Sequence, residues 1–150
     1  DICAIHNYSH GQKNEINKYN HFRKTLKNVE GLVHMPPGKW AIFAEEFEYK
    51  GQPILLTEFG GIGYKVNGQV GWGYTTVEND DQYLEDYKRI MDAIYDSEAL
   101  WGYCYTQLTD VEQEINGILT YDRQPKVDLE KIKEINEQYF PERINLRGQW

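Results

Sequence analysis

The order of apolar and polar positions along the chain predicts strands that alternate with amphipathic helices. Short, continuous apolar runs are typical of buried strands, whereas apolar residues three or four positions apart indicate a helix with one buried face. Runs of the first kind predict strands over residues 2–6, 53–59 and 100–106. Spacings of the second kind predict helices over about residues 14–29 and 80–96, and a last helix that Asp128 caps.

This alternation determines the fold class that the sequence predicts. Strands that alternate with helices form parallel sheets, so we expect an α/β fold. Long connections follow the second and third strands, over residues 60–78 and 107–125. They leave the carboxyl ends of the strands, which is the edge where α/β proteins hold their active sites. No glycine-rich fingerprint follows the first strand, which argues against a dinucleotide-binding fold.

The number of strand–helix units bears on the architecture. Three units are too few to close an eight-stranded barrel, so the chain is either part of a barrel or a small open sheet. The sequence opens at Asp1, directly in front of its first strand, which favours a fragment of a longer protein. We therefore expect part of a barrel.

Composition and charge exclude several classes of function. The net charge of −8 disfavours nucleic-acid binding, because an acidic chain repels phosphate groups. No apolar run reaches the ~18 residues that indicate a membrane span. Cys3 and Cys104 both lie inside apolar runs, so we expect two buried free thiols rather than a disulfide. No short-spaced pair of cysteines or histidines indicates a zinc site, and nothing in the sequence calls for a cofactor.

An acidic residue near the end of the second predicted strand is the strongest candidate for chemistry. Glu58 follows an apolar run and stands two residues before the pair Gly60-Gly61. A buried carboxylate is costly unless it is paired, and a strand end that faces a polar pocket can hold one; alternatively, the side chain simply exits to solvent. Tyr8 takes the equivalent place after the first strand. Its phenol could donate to a carboxylate on the neighbouring strand, or pack on the rim of the sheet.

Other polar and aromatic residues at this edge are candidates for binding a substrate. His6 and Asn7 end the first strand, while Gln107 and Asp110 follow the third. Each could hydrogen-bond a sugar hydroxyl, or only complete the local structure of its loop. Trp72 lies between two glycines in the loop after Glu58, where an exposed ring could stack on the face of a sugar or pack against the domain.

Three blocks of sequence resemble glycoside hydrolase family 2, which contains β-galactosidases, β-glucuronidases and β-mannosidases. The run Pro-Ile-Leu-Leu-Thr-Glu-Phe-Gly-Gly at positions 53–61 is similar to the nucleophile strand of that family. The run Asp-Ile-Cys-Ala-Ile-His-Asn-Tyr at positions 1–8 resembles its sixth barrel strand. Residues 102–126 resemble its eighth strand and the loop that follows. The three blocks and their spacing extend over nearly the whole chain.

The resemblance implies a fold and a mechanism. The fold is α/β, the C-terminal portion of a TIM (β/α)8 barrel: strands six to eight with their helices over residues 1–140, then a tail over 141–150. The function is that of a retaining β-glycosidase, β-galactosidase-like, which hydrolyses O-glycosidic bonds through a covalent glycosyl-enzyme intermediate. Glu58 is then the nucleophile, and Tyr8 orients it. The acid/base glutamate follows the family's fourth strand, outside this chain, so the isolated fragment is expected to be inactive.

The chain departs from the family pattern at two places. Family members of known substrate carry a tryptophan near the end of the eighth strand, where this chain has Thr106. No Asn-x-Lys motif follows Glu58, which weakens a glucuronidase interpretation. The sugar is therefore left open.

Two alternative functions remain open for this chain, and the resemblance also implies its partners. A non-catalytic carbohydrate-binding or scaffold module is favoured by the 12 tyrosines and four tryptophans and by the missing acid. A different barrel hydrolase with a glutamate at a strand end is the second alternative. The expected partners are a carbohydrate substrate and the upstream strands of the barrel. In an isolated fragment, unpaired strand edges favour self-association.

Overall fold

A computed structural model describes residues 1–36 and 41–138 as a mixed α/β structure with two small parallel sheets. The tail expected over 141–150 lies outside these residues. The elements in chain order are β1 (Cys3–Asn7), α1 (Ile16–Leu26), α2 (Val29–His34), β2 (Ile54–Gly60), β3 (Ile62–Tyr64), β4 (Thr75–Val77), α3 (Asp80–Tyr95), β5 (Leu100–Thr106) and α4 (Leu129–Glu137). The three predicted strands and the three predicted helices occur in the predicted order, and α2, β3 and β4 are additional elements.

The three longer strands form one parallel sheet in the order β1-β2-β5, with β2 in the centre. His6 of β1 lies opposite Glu58 of β2, and Gly60 of β2 lies opposite Thr106 of β5. Because the strands are parallel, their carboxyl ends meet at one edge. The register therefore brings the ends of all three predicted strands together around Glu58.

One core cluster joins the sheet to the helices. On β1 the buried residues Cys3 and Ile5 alternate with the exposed residues Ala4 and His6, as expected of a strand with one covered face. The apolar stripe predicted for α3 is buried and packs in this cluster. Each fully buried large apolar side chain contributes about 1.5–3 kcal/mol. The helices thus anchor one face of β1, and His6 lies on the other.

Side-chain caps determine where several helices begin. Asn79 Oδ1 accepts from the backbone N–H of Gln82 at 3.0 Å, and Asp128 Oδ1 accepts from that of Glu130 at 2.9 Å. The helix predicted over about residues 14–29 is confirmed as α1, which ends at Leu26, whereas the short helix α2 was not predicted. Asn28 separates them: its backbone is extended, and its Oδ1 accepts from the N–H of Gly31 at 2.9 Å to cap α2.

The long loop predicted after Glu58 contains a second sheet. Strands β3 and β4 pair in parallel, with Ile62 opposite Thr75 and Tyr64 opposite Val77. Their backbones approach closely, since a Cβ on Gly73 would lie 2.4 Å from the backbone nitrogen of Gly63. Strands of three residues interrupted by glycine are too short to show a periodic pattern. This small sheet fixes the chain that follows Glu58.

Strand β5 has the predicted bounds but not the predicted burial. Trp101 is 77% exposed, and Cys104 is exposed, so the expectation of a buried thiol at Cys104 is wrong. The physical reason is the position of β5 at one side of the sheet, where no further strand pairs with it within the described ranges. Cys3 is buried as expected, and both thiols are free.

Within residues 1–36 and 41–138, no helix has both the length and the apolar character needed to cross a membrane. Nor does this part of the chain contain a group of three or more His, Cys, Asp or Glu side chains that could hold a metal ion.

Candidate active site

The carboxylate of Glu58 lies at the shared carboxyl edge of the sheet, where the side chain is 45% exposed. Tyr8, which follows β1, donates its hydroxyl to Oε2 of Glu58 at 2.9 Å. His6 reaches the same oxygen, with Nδ1 at 3.1 Å. Oε1, by contrast, has no hydrogen-bond partner within the described part of the chain. One oxygen of the carboxylate is therefore held by two groups, and the other is open.

The hydroxyl of Tyr8 joins two strands. Besides Glu58, it contacts the Thr106 hydroxyl of β5 at 3.0 Å. A phenol has one proton, so the arrangement that satisfies both contacts has Tyr8 donating to the carboxylate and Thr106 donating to Tyr8. Burial raises the pKa of Tyr8, and the Glu58 carboxylate adds to that rise, while the Thr106 hydrogen bond opposes it. Tyr8 therefore keeps its proton and acts as a donor.

The two glycines after Glu58 have distinct roles. Gly60 and Gly61 both have positive φ, 89° and 68°, which favours glycine. The carbonyl of Gly60 accepts from Nε2 of His10 at 2.7 Å. The N–H of Gly61 donates to the carbonyl of Thr106 at 2.7 Å. These bonds hold the end of β2 to its neighbours on both sides.

His10 is a structural histidine in this arrangement. Its ring is fully buried, and besides the bond to Gly60 its Nδ1 lies 3.1 Å from the carbonyl of Gly11. Burial lowers the pKa of His10, and the two carbonyl contacts only partly oppose this effect. Arg89 of α3 donates to the carbonyls of His10 and Gly11, which secures the same turn.

Two aromatic rings extend the site away from Glu58. Tyr74 stacks on Tyr8, with ring centroids 3.6 Å apart and planes 6° from parallel. Trp72 meets Tyr74 edge-on, with centroids 5.7 Å apart. Trp72 is 48% exposed and Tyr74 is 49% exposed. Trp72 was predicted as a site residue and Tyr74 was not, although its place in the same glycine-rich stretch offered the same signal.

The structure does not bring every predicted site residue to Glu58. Asn7 is buried on the other face of β1, where its Oδ1 accepts from the backbone and the hydroxyl of Ser9. Gln107 follows β5 after a cis peptide bond, and its amide nitrogen is buried with no partner in the described residues.

Asp110 forms a buried ion pair inside its own loop. Its carboxylate accepts from Nζ of Lys126 at 2.9 Å, and the side chains are 1% and 0% exposed. It also accepts from the N–H of Gly117 at 2.9 Å. Burial lowers the pKa of Lys126, and Asp110 opposes that shift. These contacts correspond to the loop-completing role that the sequence left open for Asp110.

The comparisons with known proteins show the fold. No family model matches the chain, and no curated protein matches it either. Among solved structures, a β-glucuronidase of Ruminococcus gnavus is similar with a TM-score of 0.57 and 14% identity, over 92% of this chain and 22% of the enzyme. The agarase AgWH50C and an exo-β-agarase each have a TM-score of 0.50, with 19% and 21% identity, over 61% of this chain.

These neighbours are glycoside hydrolases, and the chain shares its fold with parts of them. It spans 16% of AgWH50C and 14% of the exo-β-agarase, so in each case the likeness concerns a small part of the enzyme. The resemblance to glycoside hydrolase family 2 in particular stays a prediction.

Proposed function

We propose that this chain is part of the catalytic domain of a retaining β-glycosidase and that Glu58 is its nucleophile. The observation that carries the proposal is the hydrogen bond from Tyr8 to Glu58 at 2.9 Å, across neighbouring parallel strands. The resemblance to family 2 implies that pairing, and the geometry agrees with it. The fold shared with glycoside hydrolases supports the same class.

The geometry suits a double displacement. Oε1 of Glu58, which has no partner in the described residues, attacks the anomeric carbon and forms a glycosyl ester. A second carboxyl group, about 5–5.5 Å from the first, protonates the leaving oxygen and then activates water. The described partners of Glu58 are Tyr8 and His6, so we assign this acid/base to the remainder of the enzyme.

The substrate is a carbohydrate, with a β-galactoside as the first candidate. The exposed rings of Trp72 and Tyr74 continue from Tyr8, and flat faces of this kind stack on sugar rings. His6 and Gln107 stay candidates for contacts with hydroxyls. Asn7 and Asp110 are left out of the proposed binding set, because Asn7 is buried on the other face of β1 and Asp110 is buried against Lys126.

We also propose that β1, β2 and β5 are strands six, seven and eight of a (β/α)8 barrel. Neighbouring strands in such a barrel are parallel and follow chain order, as they do here. The outer edges of β1 and β5 have no partner strand in the described part, which leaves room for upstream strands of the barrel on both sides. An isolated chain with two such edges is expected to self-associate.

The replacement Glu58→Gln in the complete protein that contains this chain tests the proposal. An amide cannot form the glycosyl ester, so turnover of activated aryl β-glycosides should fall at least about a thousandfold. Glu48→Gln, which makes the same change at an exposed loop residue, is the matched control. Full activity in Glu58→Gln would refute the nucleophile. A wild-type protein that binds sugars without cleaving any would favour the non-catalytic module instead.

A further inference from the structure

We infer that His6 is a second positioning residue for Glu58, a donor to Oε2 that assists departure of the carboxylate from the sugar. This inference rests on the proposed function and deepens it. Its basis is the approach of two side chains to one oxygen: His6 Nδ1 lies 3.1 Å from Oε2, and Tyr8 Oη lies 2.9 Å from it.

The strand places both donors on the same side. His6 and Tyr8 are two residues apart, and side chains with this spacing leave a strand on one face. His6 also lies directly opposite Glu58 in the pairing of β1 with β2. The intervening residue, Asn7, points to the buried face. The contact between His6 and Glu58 is thus built into the register of the sheet.

The donor state of His6 follows from its surroundings. A contact between Nδ1 and a carboxylate is a hydrogen bond when Nδ1 carries the proton. Nε2 then has no partner within the described residues, and the side chain is 56% exposed. His10 differs, because it is fully buried and both of its ring nitrogens face backbone carbonyls. Of these two histidines, His6 is the one that contacts the reacting carboxylate.

The two chemical steps use a donor at Oε2 differently. In the first step Oε1 bonds to the anomeric carbon, the bond to the leaving oxygen breaks, and that oxygen takes a proton from the acid. The carboxylate thereby loses its charge, and Oε2 becomes the carbonyl oxygen of an ester. In the second step water attacks the anomeric carbon and gives a proton to the base, while the electron pair of the C–Oε1 bond returns to Glu58. Since charge returns to Oε2 in this step, donors there favour it.

The test compares His6→Leu with His6→Asn in the complete enzyme. Leucine removes the donor, whereas the asparagine amide keeps an N–H near the place of Nδ1. With an activated aryl glycoside, His6→Leu should hydrolyse its glycosyl-enzyme about tenfold more slowly, the lower end of the range expected for one lost bond to a charged group. Aglycone release should show a burst, and kcat and KM should fall together. His6→Asn should recover most of the rate, and His21→Leu, on an exposed position of α1, should behave as wild type.

Each outcome decides between the two proposals. Hydrolysis of the intermediate by His6→Leu at the wild-type rate, or a loss of kcat/KM without a burst, would overturn the role of His6. Equal slowing in His6→Leu and His6→Asn would also overturn it, because the donor would then not be the cause. A wild-type enzyme that turns over substrate without a sugar adduct on Glu58 would instead refute the proposed function. The circular dichroism of each variant shows whether it is folded.

Discussion

Three side chains surround the Glu58 carboxylate: Tyr8 and His6 contact its Oε2, and Thr106 contacts the hydroxyl of Tyr8. Glu58 and Tyr8 could be predicted, because each follows an apolar run that ends at the same edge of a parallel sheet. The contacts of His6 and Thr106 depend on strand register and on side-chain rotamers, which no local pattern specifies. The stacking of Tyr74 on Tyr8 could not be predicted for the same reason.

Replacing Tyr8 with phenylalanine separates the contact of its ring from the contacts of its hydroxyl. Phenylalanine keeps a ring that can stack on Tyr74 but loses the donor to Glu58 and the contact with Thr106. The loss of one hydrogen bond to a charged group costs about 1.5–3 kcal/mol, so kcat should fall roughly 10- to 150-fold. Steady-state kinetics of the complete enzyme measure the effect, with Tyr121→Phe, a change at a 69% exposed tyrosine, as the control. Equal rates in the two variants would contradict the donor role of Tyr8.

Replacing Asp110 with asparagine tests its assignment to the loop. The change leaves the charge of Lys126 buried and unpaired, which should lower the free energy of unfolding by about 3–5 kcal/mol. The control is Asp96→Asn, whose partner Arg23 is half exposed and whose loss should cost about 1 kcal/mol or less. Denaturant unfolding compares them. A stable Asp110→Asn protein with weakened sugar binding would instead support the contact with substrate.

At the level of elements, long apolar runs and long helical stripes were predictable, and short or glycine-rich elements were not. The core strand β2 and the helix α3 match their predicted positions because each buries a continuous run or stripe. Strands β3 and β4 escaped prediction because close backbone approach at Gly63 and Gly73 defines them. Yet these short strands carry the chain from Glu58 to the aromatic rings.

The end of β2 depends on glycine at position 60. A Cβ there would lie 2.3 Å from the Tyr105 ring, whereas Gly51 has a similar φ, 87° against 89°, and nothing within 4 Å. Both Gly→Ala variants bear the cost of a left-handed alanine, about 1–2 kcal/mol. Gly60→Ala should lose roughly 1–3 kcal/mol more through overpacking, and should also lose activity because Glu58 moves. Thermal unfolding and kcat measure both effects; equal losses in the two variants would contradict this account.

The carboxyl end of β2, which His10 contacts at Gly60, should become less stable in acid. Burial lowers the pKa of His10 from its ordinary 6.5, so below that pH the unfolded chain binds a proton that the native chain resists. Stability therefore falls as the pH drops from 6.5 toward the native pKa. Hydrogen exchange of peptides around residues 54–61, corrected for intrinsic rates, should show greater loss of protection from pH 7 to pH 5 in wild type than in His10→Gln. An identical change in both would contradict a role for His10 titration.

For the whole molecule, the parallel order β1-β2-β5 and the partnerless outer edges in the described part are consistent with part of a larger barrel. The sequence predicted the order of elements because alternation and burial are local properties. It did not predict the exposure of Trp101 and Cys104, since burial of an outer strand depends on what pairs with it. The sugar could not be predicted either, because in the proposed barrel the walls of the pocket would come from more than these three strands.

The most direct test of the central claim is to trap the glycosyl-enzyme of the complete protein. An activated fluorinated glycoside, whose glycosyl ester hydrolyses slowly, is incubated with the enzyme, starting with the β-galactoside and extending to glucosides, mannosides and glucuronides. Peptide mass mapping then locates the sugar. We predict one sugar on the peptide that contains Glu58, and none in Glu58→Gln. An adduct on another carboxylate, or turnover that leaves Glu58 unmodified, would contradict it.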